Sequence, residues 1–351
     1  MSGREQEVLE ALERRRRLKP KLRDELVNLA HGAGGKATHA LVEAIFLEEL
    51  GNDTGDAAPV EGGLAITTDC FVVKPLFFPG GDIGELAVNG TVNDLAMAGA
   101  TPLALTAGFV VEEGFPISDL RRIAVSMRAA ADAAGVAVVA GDTKVVERGK
   151  GDGVFVTTTG IGRVDSGMEL AAGRVVPGDR VLVSGAIGDH GIAVMVARGG
   201  LELETDLRSD TAPLNGLVAA LAAAVGTELR WLRDPTRGGV ATTLNELSLD
   251  AEVCVVLEEA ALPVRPAVSG ACEILGLDAL YVANEGKLLA VVSAAAAETA
   301  LAALRAHPLG QEAAVIGEIR EAPAGMVFLA TGFGGSRVVD MLVGDPLPRI
   351  C

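Results

Sequence analysis

GDIGELAVNGTVNDLAMAGATP, residues Gly81 to Pro102, reads as one helix set between turn signals. Apolar residues recur at Ile83, Leu86, Ala87, Val88, Val92, Leu95 and Ala96, the period of a helix and not of a strand. Pro102 is the expected stop, because proline has no backbone N–H to continue the ladder. Asn93 and Asp94 sit inside this apolar run. A carboxylate there is costly to bury unless it is paired or serves a cation. A solvated helix edge is the other possibility, and the helix alone does not decide between them.

Working outward, short strands flank the helix. Leu64–Thr67 precedes it, ending in Thr68-Asp69, and Leu103–Val111 follows. Ser118 is the expected cap of a helix whose face is Leu120, Ile123, Ala124, Met127 and Ala131. Strand Val136–Ala140 runs into a loop Gly141-Asp142-Thr143-Lys144, and Val154–Thr159 is a further strand. Helices alternate with strands, but some strands follow one another directly. That order predicts a mixed α+β sheet with helices on one face. Upstream lie a charged helical extension over residues 1–24, a glycine-rich loop in His31–Ala40, a helix to about Leu50 and a polar turn with Asp53 and Asp56.

Gly173–Gly178 reads as an interdomain turn. Beyond it the sequence predicts strands at Arg180–Ser184, Val253–Leu257, Leu288–Ser293, Val327–Thr331 and Ser336–Val343. Helices are expected to about Ala197, over Asp210–Val225, from Asp234-Pro-Thr-Arg-Gly-Gly to Leu249, and over Ala295–Ala306. The expected units are therefore an extension (1–24), a first domain (25–172), a second domain (173–342) and a flexible tail (343–351).

The 351 residues carry a net charge of -17, which argues against nucleic acid or an anionic membrane as partner. No run of apolar residues is long enough to cross a membrane and no signal peptide is legible, so a cytoplasmic location is expected. Cys70, Cys254, Cys272 and Cys351 form no CxxC pair and suit neither zinc nor a disulfide framework. Aspartates at turns and element ends, Asp56, Asp69, Asp94 and Asp234, are either caps or oxygen ligands of the kind Mg²⁺ takes alongside phosphates. The His31–Lys36 loop is not a Walker A motif, yet its backbone N–H groups suit an anion.

The order HGAGG, Asp56, Thr68-Asp69, GDIGELAVNGTVNDLAMAGATP, GDTKVV, DPTRGG and NEGK resembles the ATP-utilising family of aminoimidazole ribonucleotide synthetase, selenophosphate synthetase and thiamine-phosphate kinase. Within it, GTVNDLAMAGA, GDTKVV and the closing PRIC are similar to the hydrogenase maturation branch. Some relatives carry paired acids where this chain has Gly55-Asp56.

The resemblance implies a two-domain, aminoimidazole ribonucleotide synthetase-like (PurM-like) α/β and α+β fold that dimerises through its first domain. It implies ATP in the interdomain cleft, with Mg²⁺ held by Asp56, Asp69, Asp94 and Asp234. Asn93 and Asp142 would support the site, and Gly32, Gly34, Gly35 and Lys36 would close over the phosphates. It also implies a carbamoyl dehydratase activity: a carbamoyltransferase loads Cys351, ATP activates the carboxamide, and the resulting thiocyanate passes cyanide to an iron-binding scaffold complex. That chemistry needs a base and cationic help on an oxygen, for which Glu285 and Lys144, each read as a loop residue beside a strand end, are the candidates.

In the tail, Pro346 and Pro348 forbid helix and central-strand pairing, and Gly344 offers a hinge. Extended from Val343 it spans about 30 Å at roughly 3.3–3.6 Å per residue, enough to leave the body or to fold back into the cleft. Arg349 and Ile350 are the expected anchors beside the sulfur. Three other readings stand beside this one. A selenophosphate synthetase-like enzyme would want a cysteine or selenocysteine in the early glycine-rich segment, and no cysteine precedes Cys70. A thiamine-phosphate kinase leaves PRIC unexplained, and a docking scaffold would have no turnover.

Overall fold

The Gly81–Pro102 stretch is the centre of the molecule. In the computed structural model, which describes residues 22–50, 57–164, 167–199, 205–342, 344, 347 and 349–351, almost every side chain of its helix is buried. Asp82 caps that helix, accepting from the N–H groups of Gly84 and Glu85 at 2.8 and 3.1 Å. The helix ends at Met97, earlier than expected, followed by Gly99 in the left-handed region at φ +70°. Pro102 does not stop it. Pro102 lies inside the next strand, where the pairing register shifts between Pro102 and Ala104, and a bulge is where a strand tolerates a missing N–H.

The first sheet has five strands: β1 (Ala58–Val60), β2 (Leu64–Phe71), β3 (Ala100–Glu112), β4 (Val138–Val146) and β5 (Val154–Val164). Their order is β1-β2-β5-β3-β4, with only β3 and β4 parallel. A short α1 (Lys36–Leu41) precedes it. The central helix α2 (Ile83–Met97) crosses β2, β5 and β3, and α3 (Ile117–Ala134) packs on α2. Pro116, not Ser118, stands at the N-cap of α3. The opposite sheet face is open: Ile66 and Val110, which point away from the helices, are 40% and 39% exposed.

The second sheet has seven strands: β6 (Arg180–Val183), β7 (Leu229–Arg233), β8 (Cys254–Glu258), β9 (Leu289–Val292), β10 (Ala314–Arg320), β11 (Met326–Ala330) and β12 (Ser336–Val339), in the order β12-β11-β8-β10-β6-β9-β7. Both of its faces are covered, unlike the one-sided arrangement expected. Val181, Val183, Leu289 and Val291 face α6 (Gly239–Asp250), while Leu182, Ala290 and Val292 face α5 (Asn215–Val225) and α8 (Ala297–Ala306). Burial on both faces is why these strands read as unbroken apolar runs. Two more helices, α4 (Asp189–Ala197) and α7 (Pro266–Leu275), complete the layer against the first half. Strands β7 and β10 and helix α7 were not legible in the sequence. Helix α5 begins at Asn215, leaving 205–214 as an irregular segment at the interdomain cleft.

Candidate functional site

Among the described residues strand β1 pairs with β2 only as far as Ile66, which leaves the β2 edge from Thr67 onward open to them. A cavity of about 390 Å³ fills that opening, a size suited to a small-molecule ligand. Asp69, Asp94, Asp234, Glu285, Arg237 and Cys351 all line it. Asp94, on α2, accepts a hydrogen bond from the Thr67 hydroxyl at 2.9 Å. Asp69 accepts the Cys70 N–H at 2.7 Å, and Asp234 follows β7 at the mouth of α6.

Glu285 arrives on the segment leading to β9, and the residues around it explain its motif. The Asn284 amide donates to the Pro235 carbonyl at 3.0 Å, tying NEGK to DPTRGG. A side chain on Gly286 would meet the Asp210 carbonyl oxygen at 1.7 Å, so only glycine permits that approach. The Asp210 carboxylate accepts the Glu285 N–H at 3.0 Å and pairs with Lys287 at 3.1 Å. Burial by itself would raise the Asp210 carboxyl, but the Lys287 ammonium and the Glu285 N–H hold it low.

The acids strain one another. Burial first, then the negative charges of Asp234, Asp69 and Asp210, push Glu285 well above the usual carboxylate range, with Arg237 opposing. Burial likewise raises Asp69, against Arg237 and the Cys70 N–H. Glu285 Oε1 is buried with no hydrogen-bond partner among the described residues. An all-oxygen, crowded and partly unsatisfied set fits a hard divalent cation. The described residues do not present a finished cage, however, since no three His, Cys, Asp or Glu side chains among them converge on one point. A cation here would take much of its shell from phosphate oxygens and water.

The tail is folded into this cavity. Cys351 is 7% exposed, and its carbonyl accepts the Val72 N–H at 3.1 Å. Arg349 O accepts the Lys74 N–H at 3.1 Å, so the segment lies antiparallel beside the continuation of β2. Arg349 pairs with Asp152 and donates to the Val72 carbonyl at 3.0 Å. Leu347 and Ile350 are buried in the core. Ile350 is an anchor as expected, and Leu347 is one that the sequence reading did not name.

Other candidates fall elsewhere. Lys144 and Asp142 are not on a loop but within β4, exposed, and paired with each other at 2.6 Å. The register Cys70, Thr157, Gly108, Asp142 puts three strand spacings, roughly 14 Å, between Asp142 and the β2 edge. Neither residue lines the cavity. Asn93 does not face a ligand either: it donates to the carbonyls of Ala212 and Glu285, both at 3.1 Å, and accepts the Leu214 N–H at 2.8 Å. It is a tie between the halves. Lys36 pairs with Asp340 at 2.7 Å and is absent from the cavity wall. Of the glycine-rich loop only Gly34 reaches the wall, packed on Arg237, whose guanidinium donates to the Gly32 carbonyl at 2.9 Å; Gly35 is the N-cap of α1. Asp56 and residues 1–21 lie outside the described residues. The reading also missed Arg237, Asp210 and Lys287 as site residues. Arg237 and Lys287 stood inside quoted motifs, and Asp210 gave no signal at all.

Residues 54–164 match the model of the AIR synthase related protein, N-terminal domain, and 176–329 that of its C-terminal domain. The carbamoyl dehydratase HypE of Azotobacter vinelandii is 56% identical over 337 residues, covering 94% of this chain and 98% of that protein. The chain belongs to the carbamoyl dehydratase HypE family. A HypE–HypF complex superposes with TM-score 0.83 at 50% identity, covering 86% of this chain and 100% of that one. A HypE solved with ATP superposes with TM-score 0.79 at 46% identity, covering 93% and 100%. The fold is thus that of the HypE family, two mixed sheets flanked by helices. No helix among the described residues is long and apolar enough to cross a membrane.

Proposed function

We propose that this chain dehydrates a carboxamide carried on Cys351 Sγ to a thiocyanate at the expense of ATP, and that the product supplies the cyanide ligand of a nickel–iron hydrogenase. The observation that carries the reading is the burial of Cys351 in the acid-lined cavity that Glu285 also lines. An amide oxygen leaves poorly, and phosphorylation makes it a good leaving group. The carboxamide oxygen attacks the γ-phosphorus and ADP departs; one N–H proton is lost with this step. Loss of the second N–H proton then expels phosphate and completes the C≡N bond.

In this reading Glu285 takes a nitrogen-bound proton. Burial and the neighbouring acids raise its proton affinity, which makes the ionised carboxylate a stronger base. Asp69, Asp94 and Asp234 would hold Mg²⁺, with Asp56 as a further candidate; such an ion neutralises phosphate charge and orients the phosphoryl group. Arg237 supplies the cationic wall, and Gly34 of the glycine-rich loop and Thr38 of α1 close the cavity.

Lys144 can serve such a site only from another subunit, because its own sheet separates it from its own cavity. We infer a homodimer through the open face of the first sheet, with Asp142 and Lys144 of one protomer offered to the other. The exposed Ile66 of β2 and Val110 of β3 on that face support the pairing. A carbamoyltransferase is the expected loading partner, since a relative is solved with HypF. An iron-binding scaffold would accept the cyanide, and the cytoplasm is where these partners would meet it.

Mass spectrometry of the peptide containing Cys351 tests the reading. The carbamoylated peptide should lose the mass of one water on addition of ATP and Mg²⁺. An unchanged mass would overturn it.

A further inference from the structure

His190 plays no part in the chemistry above, yet its buried contact with the tail is unusually specific. It is the second residue of α4, 0% exposed, with its ring edge-on to Phe78 at 5.6 Å between centroids. Its Nε2 lies 2.9 Å from the Ile350 carbonyl oxygen and its Nδ1 2.8 Å from Ser209 Oγ. A carbonyl only accepts, so Nε2 carries the proton. Nδ1 must then accept from the Ser209 hydroxyl, and Ser209 Oγ in turn accepts the Thr211 N–H at 3.1 Å. The polar groups run in one sense, from Thr211 through Ser209 and His190 to Ile350, and they allow one tautomer. Burial lowers the proton affinity of His190 and favours the neutral ring, with the Asp210 carboxylate and the Ile350 carbonyl opposing.

The Ile350 carbonyl belongs to the peptide bond that joins Ile350 to Cys351. Holding it from one side, while the Val72 N–H holds the Cys351 carbonyl, fixes the peptide plane from which the sulfur projects. Arg349 stands just before, in the left-handed region at φ 56°, a conformation a non-glycine residue adopts only when its surroundings impose it. Beside Ser209, Asp210 holds the backbone of Glu285. One two-residue segment therefore braces both the histidine that grips the tail and the loop that carries the base.

We propose that His190 is a positioning residue that latches the tail and aims Cys351 Sγ into the cavity. The kinetic part of this inference rests on the carrier reading of Cys351; the latch itself does not.

The test uses the full chain and compares His190→Phe, which keeps a packed ring without a donor, with His190→Gln, whose amide can donate to the Ile350 carbonyl. The first readout is the rate of Cys351 alkylation by iodoacetamide, followed by the mass of its peptide. Loss of one buried hydrogen bond should speed it on the order of tenfold in His190→Phe, and His190→Gln should return most of the protection. The second readout is a single turnover of the carbamoylated protein with ATP: the rate should fall in His190→Phe and recover in His190→Gln, with ATP affinity unchanged in both. Should His190→Phe not fold, Ser209→Ala removes only the hydroxyl that sets the tautomer and should move both readouts the same way by less. Equal alkylation rates in wild type and in a folded variant without the donor would overturn the latch, as would a His190→Gln no better than His190→Phe. If wild-type carbamoylated protein never loses water, the carrier reading falls, and the alkylation rates still decide the latch.

Discussion

Asp94 and Glu285 face the same cavity but are built for different work, and the difference lies in their partners. Asp94 is held in place by the Thr67 hydroxyl on one carboxylate oxygen. Asp94→Asn keeps size and hydrogen bonding but loses the charge a cation needs, so the fold should survive while Mg²⁺-dependent ATP turnover is abolished; full turnover would remove Asp94 from the site. Glu285 is held by its backbone and leaves a buried carboxyl oxygen without a hydrogen-bond partner among the described residues. In Glu285→Gln, ATP should still bind while dehydration slows by about 10²–10⁴, the usual worth of a general base. A loss below roughly tenfold would assign the proton transfer elsewhere.

At the scale of an element, α2 works because it is packed on every side. A side chain added at Gly84 would stand 2.5 Å from the Ile123 carbonyl oxygen and 2.8 Å from Met127, both on α3. Gly84→Ala should therefore destabilise the protein by about 1–3 kcal/mol, despite the better helix propensity of alanine; an unfolding curve at or above wild type would mean the helices separate freely. The same helix carries a pH response. Burial, with Asp82 alongside and Arg208 opposing, pushes the Glu85 carboxyl up to about 7. The folded state then binds a proton more tightly than the unfolded chain, whose glutamate titrates near 4.5. Stability from this group is fully present below about 4.5 and is lost as pH rises through about 7. Melting temperatures of Glu85→Gln should match wild type at low pH and exceed it at pH above that window, and parallel pH profiles would refute the assignment.

For the whole molecule, the open face of the first sheet is the feature a single chain leaves unexplained. Strand β4 is exposed over nearly all its length and carries Val138, Val139 and Val145, an edge that isolated proteins normally protect. Sedimentation at micromolar concentration should give twice the chain mass. The pair Ile66→Lys and Val110→Lys should shift it toward the monomer and lower turnover with it, since Lys144 would no longer reach a second cavity. A monomeric wild type, or a fully active monomeric variant, would sink both ideas.

What was legible in the sequence was local. The helical period of Ile83 to Ala96 and the turn glycines depend on neighbours a few residues apart and gave a mixed sheet with helices; the two-domain fold and the grouping of Asp69, Asp94, Asp234 and Glu285 came from the resemblance that the order of motifs carries. What the tertiary structure decided were distances between remote segments. GDTKVV reads as a loop because Gly-Asp-Thr is turn chemistry; only pairing with β3 makes it a strand and carries Lys144 away from the acids. Asn93 looks like a ligand because it adjoins Asp94, yet successive helix positions point in different directions, and its amide meets Ala212 and Glu285 instead. Asp210 and His190 are invisible as site residues until the 205–214 segment and the tail are folded against them, because a hydrogen bond between positions 190 and 350 has no period for a sequence to display.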